Sequence, residues 1–359
     1  MKNSQKKLQF WMGCTIVIAL IITLSLDTKA KQNEQNKLGN WEKEVTIKLA
    51  DRNIVGTISA PDSEQFSLVI LLPGVGSHDR DYVLFGKPFF KDMADYLHQN
   101  GIASFRFDRP AGETDHLKMT IREQAENVEQ IACILLEEFP KISQIGILGH
   151  SQGGMIATIV ASHSPKVTFI ILVGTPAVKG VDYNLDYERS MAEIQGLSDD
   201  QIAGIQKFQR EVFDVVLQNE SKKSIEILQE MYTELKPRRS QQRINATIHR
   251  ITSDWFKFNL KYKPDQYFMK IKCPVLAIYG EYDRQIPPSQ NIAALRTILT
   301  KNENLTVEIV TLLSHNHLFQ ISETGNPYEY EKIESTFSQQ FLNTVSDWIR
   351  RLKNLQERT

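Results

Sequence analysis

Short, almost continuously apolar segments alternate with segments of helical periodicity along most of this chain, and this alternation restricts the fold more than any other feature. The apolar segments span residues 68–72, 102–107, 145–148, 167–173, 275–279 and 307–313. Helical periodicity covers residues 89–97, 121–139 and 153–162. A strand that is apolar at every position is buried on both faces, which is typical of a parallel sheet. The sequence therefore predicts an α/β fold with a mostly parallel central sheet and helices on both faces.

The interval 178–263 interrupts this alternation because it contains no convincing strand. Ser198 and Gln201 form a capping box, and the apolar residues that follow recur at helical spacing. A helical insertion between two strands predicts a cap over one end of the sheet. The alternative is a solvent-exposed insertion without a function. The predicted organisation is a first core segment (31–177), a helical cap (178–263) and a second core segment (264–359).

Residues 1–30 have the features of an export signal. Lys2, Lys6 and Lys7 precede an apolar run at 10–26, and small residues at 28 and 30 offer a cleavage site. The run is also long enough to stay in a membrane as an anchor. We therefore expect a secreted or periplasmic protein, anchored by its N-terminal segment if that segment is not cleaved.

The sequence Gly149-His150-Ser151-Gln152-Gly153 matches G-x-S-x-G between a predicted strand and a predicted helix. In a tight strand-to-helix turn, glycine neighbours permit backbone conformations that a Cβ atom would forbid. The helix N-terminus also directs amide hydrogens at the site. The motif predicts a nucleophilic serine, and the alternative is an ordinary connection rich in small residues.

A serine hydroxyl is a weak nucleophile, so it needs a base, and the base needs an orienting carboxylate. In the architecture that carries this motif the chain order is serine, acid, histidine. Asp283 follows the fifth apolar segment and is the candidate acid, with Glu281 as its rival. His315 and His317 follow the sixth segment, and from the residues alone either one is a candidate base.

The loop at 72–76, Leu-Pro-Gly-Val-Gly, follows the first apolar segment and is a candidate oxyanion loop. The Val75 amide and the Gln152 amide, next after the serine, are the expected oxyanion donors. A phosphate-binding loop is the weaker interpretation, because no Lys-Ser/Thr pair follows and Asp79 and Asp81 would repel a phosphate.

The histidines at 315 and 317 have no partner pair at a zinc-binding spacing, so we expect no metal site. The other histidines, including His150 at the variable position of the serine motif, are expected to be surface residues or hydrogen-bonded core residues. A net charge of −1 without a basic stripe gives no reason to expect nucleic-acid binding.

Four parts of the chain together resemble the α/β-hydrolase superfamily, and within it a bacterial group of exported serine hydrolases described as carboxylesterase-like or serine aminopeptidase-like. They are residues 71–81, 149–154, 274–288 and 316–320. Ser151 and Asp283 match the nucleophile and the acid of that group, and His317 matches the base in its Asn-His-Leu-Phe pattern. The resemblance implies the α/β-hydrolase fold and cleavage of carboxylic esters through a Ser-His-Asp triad and an acyl-enzyme, without a cofactor.

Two other functions stay open from the sequence. The same triad serves amidases and aminopeptidases, and a binding protein can use a hydrolase fold without catalysis. The expected partner is a small-molecule ester or peptide substrate, with no nucleic acid and with membrane contact only through an uncleaved N-terminal segment.

Overall fold

The computed structural model describes residues 41–109, 115–235, 240–302 and 306–356. The sheet and helices described below lie almost entirely within the compact unit of residues 44–359. The predicted export segment at 1–30 lies outside the described residues. Within the described ranges, we find no helix with both the length and the apolar character needed to cross a bilayer.

Across the described residues, eight strands form one sheet in the order β1-β2-β6-β3-β7-β8-β9-β10, and β4 and β5 form a separate short ribbon. The strands are β1 (Glu42–Lys48), β2 (Asn53–Ser59), β3 (Phe66–Leu72), β4 (Val83–Leu84), β5 (Lys87–Pro88), β6 (Ala103–Phe107), β7 (Ile142–His150), β8 (Val167–Val173), β9 (Val275–Gly280) and β10 (Val307–Leu312). From β6 to β10 all neighbours are parallel, and β2 is antiparallel to β6. The predicted mostly parallel α/β sheet is confirmed.

The helices are α1 (Phe89–Gln99), α2 (Ile121–Glu138), α3 (Gln152–Ala161), α4 (Gly180–Ile194), α5 (Asp199–Gln218), α6 (Ser221–Leu235), α7 (Gln241–Ile251), α8 (Asp254–Lys261), α9 (Pro264–Phe268), α10 (Pro288–Leu299) and α11 (Gln339–Gln356). The capping box predicted at Ser198 and Gln201 is confirmed at the start of α5, and Thr120 and Glu123 form a second one before α2. Such boxes satisfy amide groups that a helix N-terminus would otherwise leave without acceptors.

Both faces of the central strands β3, β7, β8 and β9 are buried, which explains why these strands are almost continuously apolar. On β3, Leu68 and Ile70 belong to a core that α2 and α3 cover, while Val69 and Leu71 belong to a second core on the opposite face. The second core contains buried residues of α1 and α11. Since neighbouring strand residues point to opposite faces, every position of β3 is buried, and all of them except Ser67 are apolar.

The interval 178–263 holds α4 to α8, and its described residues contain no strand. These helices bury aromatic side chains, among them Phe213, Trp255 and Phe256. Their role as a cap over the site stays a prediction.

Candidate active site

Ser151 occupies the turn between β7 and α3 in a backbone conformation that side-chain-bearing residues rarely adopt. Its φ is 53° and its ψ is −117°. The Ser151 amide donates to the Val173 carbonyl at 2.8 Å, and the Ser151 carbonyl accepts from the Gly154 amide at 3.0 Å. A positive φ at serine is strained and persists only where surrounding contacts hold it, as these two bonds do.

Two glycines of the motif permit the close approach of β7, α3 and β3. A Cβ atom at Gly149 would lie 2.3 Å from the carbonyl carbon and oxygen of Gly153. One at Gly153 would lie 2.3 Å from the Leu72 carbonyl oxygen on β3. Real Cβ atoms do not come this close to backbone, so both positions require glycine for packing. The left-handed backbone conformation in this turn belongs to Ser151 and not to either glycine.

Asp283 and His317 meet although they are far apart in sequence. Asp283 follows β9, His317 follows β10, and the Oδ2 atom of the carboxylate lies 2.7 Å from Nδ1 of the imidazole. Asp283 is only 2% exposed, and its Oδ1 accepts from the amides of Gln285 at 2.9 Å and Ile286 at 2.8 Å. The carboxylate is therefore held in place, and it orients the imidazole with Nδ1 as the donor.

The other candidate base, His315, and the other candidate acid, Glu281, form hydrogen bonds with other residues. His315 donates from Nδ1 to the Leu313 carbonyl at 2.7 Å, so its Nε2 accepts from the Ser338 hydroxyl at 2.5 Å. Burial lowers the pKa of His315. Glu281 accepts from the Ser314 amide at 2.8 Å. Of the two candidate bases, it is His317 that the structure brings to Asp283.

Asn316 is a site residue that the sequence analysis did not assign. It is fully buried, and its Oδ1 accepts from the Leu318 amide at 2.9 Å and the Gln320 amide at 3.0 Å. These bonds shape the turn that presents His317. The signal in the sequence is the Asn of the Asn-His-Leu-Phe pattern, which carried no role for Asn316 itself because an asparagine is typical of many turns.

The two expected oxyanion donors, Val75 and Gln152, line the same cavity as Ser151. Gln152 is the first residue of α3, and Val75 lies on the loop after β3. A Cβ atom at the neighbouring Gly74 would lie 3.5 Å from the Ser151 Cβ, so the loop runs directly beside the serine. The Gly74 carbonyl accepts from the Arg109 guanidinium at 2.8 Å.

Comparison with known proteins identifies the fold family of the chain. Residues 68–322, more than half of the chain, match the family described as the alpha/beta hydrolase fold. The chain belongs to the α/β-hydrolase fold family. It is similar to esterase EstD of Thermotoga maritima, with 23% identity over 312 residues, 86% of this chain and 67% of that protein. This match and the family make the protein a hydrolase.

Solved structures show the same fold at low sequence identity. An esterase of Pyrococcus furiosus, Pf2001, aligns with a TM-score of 0.52 and 14% identity over 87% of this chain and 94% of that one. Est1E from Butyrivibrio proteoclasticus aligns with a TM-score of 0.51 and 13% identity over 88% of this chain and 99% of that one. The predicted α/β-hydrolase fold is thereby confirmed.

The hydrolase has a cavity of about 660 Å³ beside the serine. Ser151, Gln152 and Val75 line it on the sheet side. Most of the other lining residues belong to α4 to α8, and many of these are aromatic: Tyr183, Tyr187, Phe208, Phe213, Tyr232, Trp255 and Phe256. A volume of this size accommodates a small-molecule ligand.

Within the described ranges, no group of three or more His, Cys, Asp or Glu side chains is arranged to hold a metal ion. Cys133 and Cys273 are both free thiols.

Proposed function

We propose that this hydrolase cleaves carboxylic esters through Ser151, His317 and Asp283 by way of an acyl-enzyme. The main support is the buried 2.7 Å contact between His317 and Asp283 on loops adjoining the turn that holds Ser151 at φ 53°. A base oriented by a carboxylate is what a serine hydroxyl needs to attack a carbonyl.

In the proposed reaction, the Ser151 hydroxyl attacks the ester carbonyl while Nε2 of His317 takes its proton. Asp283 accepts the Nδ1 hydrogen of His317, which fixes the tautomer and stabilises the imidazolium that forms. The imidazolium then protonates the leaving alcohol and an acyl-enzyme remains. Water, deprotonated by His317, releases the acid and restores the serine.

The negative charge on the carbonyl oxygen needs donors that are already in place. The Val75 and Gln152 amides are the proposed pair, and the N-terminus of α3 adds a favourable dipole. Support comes from their position, since both residues line the same cavity as Ser151. Losing one such donor typically costs roughly 3 to 4 kcal/mol of transition-state stabilisation.

We further propose that α4 to α8 form a cap whose aromatic side chains receive the acyl or alcohol group. The cavity between these helices and the serine supports a small-molecule ester as substrate.

A substrate panel tests the esterase proposal. It pairs p-nitrophenyl esters of increasing acyl length with aminoacyl and dipeptidyl p-nitroanilides. We expect ester turnover that falls by at least about 10⁴-fold in Ser151→Ala. Ser164→Ala is the matched control, because Ser164 is buried and its hydroxyl has no hydrogen-bond partner among the described residues.

The other outcomes separate the alternatives. Cleavage of anilides only would make the protein an amidase or peptidase that uses the same residues. No turnover of either class, together with no labelling of Ser151 by a fluorophosphonate, would contradict catalysis and favour a binding role.

We also propose that the protein is exported. Support comes from Lys2, Lys6 and Lys7 before the apolar run at 10–26. Mass spectrometry of the protein from its native host would show a mature N-terminus near residue 31 if the segment is cleaved. Intact residues 1–30 in a membrane fraction would indicate an anchor, and intact chain in the cytosol would contradict export.

A further inference from the structure

Two buried polar side chains beside the site have no part in the proposed reaction. Tyr82 is 4% exposed and precedes β4, and His150 is 3% exposed and ends β7 immediately before Ser151. Burying two such groups is costly unless their hydrogen bonds are satisfied, so their partners are informative.

The partners of His150 determine its tautomer. Its Nε2 lies 2.8 Å from the main-chain carbonyl of His317, and a carbonyl only accepts, so Nε2 carries the hydrogen. Its Nδ1 must then accept, and the atom 3.1 Å away is the hydroxyl of Tyr82, which therefore donates. The Tyr82 oxygen in turn accepts from the Gly74 amide at 3.3 Å.

The charge states are consistent with these directions. Burial and the neighbouring His317 lower the pKa of His150 to about 3, so the ring stays neutral at neutral pH. Burial raises the pKa of Tyr82 to about 12, so its hydroxyl keeps its hydrogen.

This chain of bonds joins the oxyanion loop to the loop that carries the base. Gly74 lies on the loop after β3, and His317 lies on the loop after β10. The Gly74 carbonyl and the Val75 amide belong to one peptide group, and Arg109 holds that carbonyl at 2.8 Å. With Tyr82 on one side of Gly74 and Arg109 on the other, the direction of the Val75 amide is set.

We propose that Tyr82 and His150 form a positioning bridge that holds the Val75 amide at a fixed place relative to His317, an inference that rests on the proposed esterase chemistry. Neither residue touches the reacting atoms. The bridge acts through Gly74 on the oxyanion donor and through the main chain of His317 on the base, so it contributes to turnover and not to substrate affinity.

Tyr82→Phe is the most direct test, because it removes only the hydroxyl. We expect kcat for the best ester to fall about tenfold, the worth of one buried hydrogen bond, while KM stays within about twofold. The rate of Ser151 labelling by an alkyl fluorophosphonate, which also places an anionic oxygen in the oxyanion site, should fall by a similar factor.

Tyr262→Phe is the matched control. Tyr262 is also buried, but it packs on Tyr267 and is not among the residues that line the cavity. It should keep wild-type kcat and labelling rate, whatever its thermal unfolding temperature. A merely structural role of Tyr82 would affect stability without separating kcat from KM.

Two variants of His150 extend the test to the other half of the bridge. His150→Gln supplies a neutral amide with one donor and one acceptor end, and should retain most of the activity. His150→Leu supplies neither and should show at least the loss seen in Tyr82→Phe.

These measurements distinguish a failure of the proposed bridge from a failure of the proposed esterase reaction. If wild-type Ser151 is not labelled and no ester is cleaved, the proposed function fails and the bridge with it. If the wild type is active and Tyr82→Phe and His150→Leu match it in kcat and labelling rate, the bridge alone is overturned.

Discussion

At the scale of single residues, the site depends on side chains and backbone held in unfavourable states by their neighbours. Ser151 keeps a φ of 53° because its amide and carbonyl are both bonded. His150 is neutral because burial and the neighbouring His317 disfavour its protonated form, and one acceptor and one donor satisfy its two ring nitrogens. The motif in the sequence indicated the strained turn, whereas His150 was expected only as a surface or hydrogen-bonded core residue.

The buried His150 makes a pH-dependent contribution to stability. Its pKa is lowered from 6.5 to about 3 by burial and by His317, so between those values the unfolded chain binds the proton more strongly. The contribution is fully present above pH 6.5 and is lost as the pH falls toward 3. We expect the free energy of unfolding to drop between pH 7 and pH 5 by about 2 kcal/mol more in wild type than in His150→Gln.

Urea titrations of both proteins at the two pH values measure this difference. All other titrating groups are common to the two chains, so the comparison isolates His150. Equal losses in the two proteins would show that the histidine is not held neutral in the fold.

At the scale of elements, the packing of α3 against β3 and β7 decides where the serine points. The strand–turn–helix boundaries were predicted within a few residues because apolar periodicity and glycine are local signals. The β4–β5 ribbon and α10 were not predicted. The ribbon has strands of two residues each, and it is flanked by positive φ values at Tyr82 and Phe85 that no local pattern indicates.

Gly153→Ala tests the packing of these elements. Its Cβ would lie 2.3 Å from the Leu72 carbonyl oxygen and 2.8 Å from that of Pro73, both of them backbone atoms that cannot move aside. We expect a loss of about 3 kcal/mol of unfolding free energy, the upper end for overpacking. Chemical denaturation monitored by circular dichroism measures it.

Gly204→Ala is the control for this substitution. Gly204 is exposed within α5, and a Cβ there meets nothing within 4 Å. Replacing glycine in an exposed helix interior should stabilise the protein by about 0.5 to 1 kcal/mol. A Gly153→Ala protein as stable as wild type would contradict the contact between α3 and β3.

At the scale of the whole molecule, the loops after β3, β7, β9 and β10 bring the site together at the carboxyl edge of the sheet. Open α/β sheets build their sites at that edge because successive parallel strands all end there. Residues of α4 to α8 also line the cavity, and several of them are aromatic. Substrate size is therefore expected to depend on residues far from the triad in sequence.

Phe208→Ala tests that expectation. Phe208 lines the cavity and packs edge-to-face on Tyr232, with ring centroids 5.4 Å apart. Removing the ring should raise KM for bulky esters about tenfold through lost apolar contact, and leave kcat/KM for p-nitrophenyl acetate within about twofold. Steady-state kinetics across the ester series measures both.

Phe258→Ala is the matched control, since Phe258 is also half-buried on a neighbouring helix but is not among the residues that line the cavity. It should not change the preference for acyl size. An equal effect of both substitutions would point to a general loosening of α4 to α8 and not to a role of Phe208 in the cavity.

Three features could be inferred from the sequence alone. They are the alternation of apolar strands with helices, the glycine-flanked serine, and the chain order of serine, acid and histidine. Each depends on local periodicity, on backbone sterics or on sequence order, and these are properties of neighbouring residues. From the residue pattern alone, His315 and His317 were equally good candidates for the catalytic base. Only the resemblance to serine hydrolases favoured His317.

The folded structure distinguished the two histidines because it set His317 against Asp283 and His315 against Ser338. It also joined Gly74, Tyr82, His150 and His317 by hydrogen bonds between residues that are up to 167 positions apart. Bonds of this kind depend on where four loops end in space. No short-range pattern of residue types predicts that these four residues come together. Their proximity is produced by the register of the strands and by the packing of helices on both faces of the sheet.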